Sequence, residues 1–142
     1  MKPEPESRKV LDAWAVMAWV SGEQPARASV QALMDSAESG QIDVCMSMVS
    51  AGEVYYRLAQ KHGQQYARSF WEDFQTGPTR IVDAPNWLIL EAAQWKSQHP
   101  ISYADAFAVA TARRERASLV TGDPDFKPLA EAGVVELEWI GG

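Results

Sequence analysis

Asp12, Glu53, Asp105 and Asp123 come from four distant segments, and Asp125 lies two residues beyond the last of them. Each falls where an apolar run ends or an amphipathic one begins. Carboxylates gathered in one place repel one another and raise each other's pKa. A bound divalent cation relieves that repulsion. Oxygen donors without histidine or cysteine favour Mg²⁺ or Mn²⁺ over zinc. A site of this kind suits phosphodiester hydrolysis, because the cation polarises a phosphoryl oxygen and activates a water for in-line attack. One ion and two ions are both compatible with the residues.

The chemistry requires elements that bring these residues to one edge. The apolar pattern gives strands over 9–11, 42–48, 79–83, 118–121 and 134–139. Between them lie helices over 13–20, 24–39, 50–62, 64–75, 86–98 and 101–116, with 122–133 irregular around Pro124 and Pro128. The run 42–48 is continuously apolar, as in a strand covered on both faces. Alternating strands and helices imply an α/β domain of three layers, α/β/α, around a mostly parallel sheet. In such a sheet strands end and helices begin at the same edge, where ligands bind. Asp12 ends the first strand, Glu53 and Asp105 fall in first helical turns, and Asp123 follows the fourth strand.

Taken singly, each carboxylate has a structural explanation. Ser50-Ala51-Gly52-Glu53 reads as a capping box with Ser50 as N-cap. Ser102-Tyr103-Ala104-Asp105 is a weaker one, Asp12 suits an N-cap, and Gly122-Asp123-Pro124-Asp125 is ordinary turn chemistry. Taken together, their convergence on one edge favours the metal site.

The chain has 142 residues, enough for one domain, with residues 1–8 as a polar tail and 9–142 as the domain. Its hydrophobic fraction of 46% and charged fraction of 23% are ordinary for a globular protein. A net charge of −6 argues against coating nucleic acid by bulk charge. No apolar run is long enough to span a membrane, and MKPEPESRK has no apolar leader region. A single cysteine, Cys45, excludes an intrachain disulfide and reads as an inert core thiol. These features lead to the expectation of a cytoplasmic location. The six tryptophans, spread through the helices, read mostly as core packing.

Three stretches carry a resemblance: VLDAWAVMAWV with Asp12, SMVSAGEVYYRLA with Glu53, and ISYADAFAVATARRERASLVTGDPDF with Asp105 and Asp123. The last is the most specific. Over about residues 8 to 140 the chain resembles PIN-domain ribonucleases, most closely the VapC-type toxins of bacterial toxin–antitoxin pairs. The resemblance implies that Asp12, Glu53, Asp105 and Asp123 bind Mg²⁺ or Mn²⁺ and support RNA cleavage. Asp125 matches an extra acidic residue of this loop and takes a supporting role. Thr121 matches the hydroxyl residue before the family's Gly-Asp, placed to bond a carboxylate or a metal-site water. Two positions depart from the pattern. Trp14 stands where such toxins often have Ser or Thr, and Ser50, also a supporting residue, where many have Asn.

Arg57, Lys61 and Lys127 are the cations best placed to meet an RNA phosphate, though each also reads as a surface charge. Tyr55, Tyr56 and Tyr103 are candidates for stacking on unpaired bases. Arg113, Arg114 and Arg116 read as partners of a helix C-terminal dipole. His62 and His99 fall near helix C-termini, away from the acidic edge. Apolar stripes on 24–39 and 64–75 exceed what one small domain needs, and suit a dimer interface or a groove for a partner's helix. The resemblance implies a homodimer held inactive by a cognate antitoxin. Two alternatives stand beside this reading. A catalytically weak PIN-like module would only bind RNA or a partner, and Trp14 keeps that open. A phospho-receiver domain would need an acidic pair after the first strand and a lysine after a later one, and neither is present.

Overall fold

The computed structural model describes residues 7–142. The expected tail therefore lies almost wholly outside the described residues, and its last position, Arg8, instead opens the first strand, where it pairs with Asp43. Five strands, β1 (Arg8–Leu11), β2 (Asp43–Ser47), β3 (Arg80–Val82), β4 (Ser118–Thr121) and β5 (Leu137–Trp139), form one sheet in the order β3-β2-β1-β4-β5. Every pairing is parallel. The chain runs outward from β1 through β2 to β3, then returns to lay β4 on the other flank of β1. That reversal opens a crevice at the carboxyl ends of β1 and β4.

Among the described residues seven α-helices cover the sheet: α1 (Ala13–Ser21), α2 (Ala26–Glu38), α3 (Met48–His62), α4 (Gln64–Gln75), α5 (Asn86–Gln98), α6 (Tyr103–Glu115) and α7 (Lys127–Glu131). Successive strand residues feed opposite layers, as the pleat requires. Leu11, Val44, Met46 and Val120 pack with α1, α2, α3 and α4. Val10, Cys45, Val82 and Leu119 pack with α5, α6 and α7. The architecture is the three-layer α/β/α arrangement. Continuous apolarity in the central strands reflects this cover on both faces.

Local signals explain most element ends. Gly22, at φ 80°, closes α1 in the left-handed conformation and donates its N–H to Ala18. Ser102 caps α6. Several boundaries differ from expectation: α2, β3 and α6 are each shorter by a residue or two at both ends, and three others change the reading of the local structure. The N-cap of α3 is Ser47, whose side chain accepts from Val49 N, so Ser50 is a buried residue inside the helix and Glu53 lies beyond its first turn. Met48 accordingly belongs to the helix, not the strand. The segment after β4 is not irregular: Pro124–Phe126 forms a 3-10 turn and α7 follows, each tolerating proline in its first turn. Buried Phe126 and Leu129 fix both against the sheet. The last strand begins at Leu137, not Val134.

None of the six tryptophans is fully buried. Trp14, Trp19, Trp71 and Trp95 pack against the core, Trp87 and Trp139 are exposed, and Trp87, Trp95 and Trp139 each carry a cation over the ring, Arg114, Arg113 and Lys127 respectively. Much of the apolar stripe on α2 and α4 is absorbed by the core, through Val30, Met34, Ala67 and Phe74. Among the described residues no helix is long and apolar enough to cross a membrane.

Ser47→Ala is expected to lower unfolding stability by about 1 kcal/mol through loss of the α3 cap. Urea denaturation measures it, and an unchanged midpoint would show that this hydroxyl does not cap the helix.

Candidate active site

Asp12 sits directly after β1 and caps α1. Its Oδ1 accepts from Ala15 N at 2.8 Å, and its Oδ2 accepts from Thr121 Oγ1 at 2.5 Å. The residue is only 2% exposed. Burial pushes its carboxyl up to about 7, and the Asp105 and Asp123 charges add to the rise, while the Thr121 and Ala15 hydrogen bonds oppose it. Thr121 ends β4 beside Asp12 because β1 and β4 are paired in register. Its hydroxyl both donates to Asp12 and accepts from Asp123 N at 3.0 Å. One side chain thus ties the ends of two strands together.

Asp105 enters from α6. Ser102 Oγ accepts from Asp105 N at 3.1 Å, which starts the helix with the carboxylate in its first turn. Partial burial raises its carboxyl to about 6, with Asp123, Glu53 and Asp125 adding repulsion and Ser102 opposing it. Asp123 Oδ1 accepts from Asp125 N at 2.9 Å. That bond curls the loop so that both acids project near Asp105. One carboxylate oxygen from each of Asp105, Asp123 and Asp125 lies within 4.8 Å of the other two. Glu53 reaches the group electrostatically from α3 and pairs with Arg57 at 3.5 Å.

The structure therefore brings Asp12, Glu53, Asp105, Asp123 and Asp125 into one electrostatic neighbourhood at the crevice. The tightest trio includes Asp125, which the sequence suggests only as support, and excludes Asp12 and Glu53. The signal for Asp125 is the Asp-Pro-Asp spacing, because an Asx turn puts both acids on one side of a loop. The donor set is entirely oxygen, and its mutual repulsion fits a hard divalent cation.

Other candidates lie apart from the acids or are already engaged. Arg57 is held by Glu53, and Lys127 Nζ lies 4.3 Å from the Trp139 ring centroid. Lys61 is exposed in the last turn of α3, toward the opposite end of that helix. Tyr56 and Tyr103 are exposed, and the Tyr103 ring meets Phe107 at a tilt of 43°. The α6 arginines do more than face a dipole. Arg113 Nη1 donates to Val134 O at 2.6 Å and sits over Trp95, Arg114 sits over Trp87, and Arg116 forms the left-handed C-cap at φ 53°. His62 packs on Tyr66 and His99 on Trp95. Burial pushes the Cys45 thiol up to about 12, so it stays protonated.

The PIN domain family profile matches residues 9–132, and the chain belongs to the PIN domain family. No curated protein matches it by sequence. Among solved structures, VapC20 of Mycobacterium tuberculosis, described as a sarcin-ricin loop cleaving toxin, is similar with a TM-score of 0.70 and 20% identity, covering 91% of this chain and 98% of its own. VapBC2 from Rickettsia felis, bound to a DNA fragment from its promoter, is similar at 0.69 and 17%, covering 92% and 97%. FitAcB from Neisseria gonorrhoeae is similar at 0.66 and 20%, covering 92% and 96%. At these identities the likeness is one of fold.

The raised carboxyls set the pH dependence of the metal-free protein. Between pH 3.8 and about 7 the folded chain retains the Asp12 proton that the unfolded chain releases. Stability present below that interval is lost as pH rises through it, by up to roughly 4 kcal/mol. Urea unfolding in EDTA is expected to show that fall, and Asp12→Asn to flatten it. An equally steep fall in the variant would assign the dependence to other groups.

Proposed function

We propose that this protein is a Mg²⁺- or Mn²⁺-dependent endoribonuclease, the toxin of a type II toxin–antitoxin pair. The observation that carries this reading is the convergence of Asp12, Glu53, Asp105, Asp123 and Asp125 on the crevice between β1 and β4, with burial and repulsion raising Asp12 and Asp105. Membership of the PIN family and the likeness to VapC20 and to toxin–antitoxin complexes support it.

In this reading Asp12, Glu53, Asp105 and Asp123 hold the cation, joined by Asp125. Each Asp12 oxygen still has a lone pair beside its hydrogen bond. The cation supplies charge neutralisation, polarisation of a phosphoryl oxygen and a lowered pKa for the attacking water. The chain's own groups orient that centre. Thr121 fixes Asp12 relative to Asp123, and Ser102 fixes the start of α6 under Asp105. Ser47 fixes the start of α3, and with it the turn that carries Glu53. Of the cations the sequence offers to the RNA backbone, Arg57 pairs with Glu53, Lys127 sits over the Trp139 ring and Lys61 lies toward the far end of α3.

The partners in this reading are RNA, a second copy of the chain and a cognate antitoxin, all in the cytoplasm. A groove of about 530 Å³ between α1, α2 and α4, lined by Trp19, Met34, Phe70 and Phe74 with Arg27 and Asp35 among its polar residues, fits an amphipathic helix of the antitoxin.

Purified protein freed of any partner is expected to cleave RNA with Mg²⁺ or Mn²⁺, and EDTA to abolish cleavage. Asp105→Asn is expected to slow it more than about 100-fold, beyond the range typical of groups that only orient ligands. Metal binding without cleavage of any RNA would favour a binding module. No metal binding would leave the carboxylates as caps and turns.

A further inference from the structure

Trp14 and Gly122 meet across the crevice. A Cβ added at Gly122 would lie 2.2 Å from Trp14 Cη2, 2.5 Å from Cζ3 and 2.7 Å from Cζ2. The indole therefore occupies the space that any side chain at position 122 would need. Gly122 is buried, and it joins Thr121 to Asp123. Thr121 bonds both Asp12 and the Asp123 N–H, and Asp123 in turn bonds Asp125 N. The tryptophan thus presses on the one peptide link through which the strand end passes into the acidic loop. It stands in the first turn of α1, two residues after Asp12, so one short stretch of chain holds both the buried acid and the wedge against the loop.

We infer that Trp14 is a positioning residue: its indole clamps the Thr121–Gly122–Asp123 turn against α1 and holds Asp123 within reach of Asp105 and Asp125. The inference rests on the metal-site reading and deepens it. Hydrogen bonds alone fix the turn at Thr121 and Asp123, but nothing polar holds the glycine between them. A flat, half-buried ring packed on a residue without a side chain supplies that restraint.

The test is Mn²⁺ affinity, measured by calorimetry on the full chain, beside metal-free unfolding. Trp14→Ala is expected to weaken Mn²⁺ binding by about tenfold or more, the scale seen when groups that orient ligands are lost. Trp14→Phe, which keeps a ring, is expected to recover most of that affinity. Gly122→Ala places a methyl in the indole's space and is expected to weaken binding as well. Because the two residues touch, their effects should not add: the double variant Trp14→Ala/Gly122→Ala should bind better than Gly122→Ala alone. Should Trp14→Ala fail to fold, Trp14→Phe and Gly122→Ala, which keep a ring, carry the test. Unchanged affinity in folded Trp14→Ala, or strictly additive effects, would overturn the clamp while leaving the metal site standing. Absence of Mn²⁺ binding in the unaltered chain would overturn the metal site and the clamp with it.

Discussion

A carboxylate buried where two strands part company organises the active end of this protein. Asp12 is almost without solvent, yet both of its oxygens are bonded, one to the opening turn of α1 and one to the hydroxyl that ends β4. An unpaired buried charge would be expelled or protonated. Here the neighbouring elements have to be in register for the acid to be tolerated. The pairing of Leu11 with Val120 sets Thr121 beside Asp12, and the Thr121 hydroxyl then orients Asp123. Much of the acidic loop's geometry follows from that one hydrogen-bonded acid.

The two apolar layers make such a demanding arrangement stable. Strand residues alternate between them, so a slip of one residue would move every core side chain to the wrong face and send Asp12 to the other side of the sheet. Register, core and acid are therefore mutually reinforcing. The α6 helix joins them. Its alanine-rich body lies fully buried on the sheet, which permits close approach, while Ser102 fixes where it starts and hence where Asp105 emerges.

Much of this was legible in the residue pattern because burial on both faces leaves long apolar runs and because helices here end at Gly22, Gly40 and Gly63. The elements that were misread show what pattern alone lacks. Ser47 and Ser50 are both good caps by type, and the choice follows from β2 ending at Ser47, whose hydroxyl accepts from Val49 N. Pro124 and Pro128 look like interruptions, yet each sits in a first turn where its missing N–H is harmless. The close grouping of Asp125 with Asp105 depends on a loop hydrogen bond, and the meeting of Trp14 with Gly122 joins segments from opposite halves of the chain. Neither leaves a periodic trace. Four of the six tryptophans pack on the core as their type suggests, while Trp87 and Trp139 are exposed and each lies beneath a cation.

The sheet's outermost strands, β3 and β5, are three residues each. Arg80, at the start of β3, is tied to Asp43 and Glu115. Glu138 in β5 is tied to Lys9. Strand edges this short, and occupied by ion pairs, offer little template for another chain to extend the sheet. Self-association by strand addition is thereby discouraged, and recognition by other molecules is directed to the helical faces and to the crevice, where side chains rather than backbone do the reading.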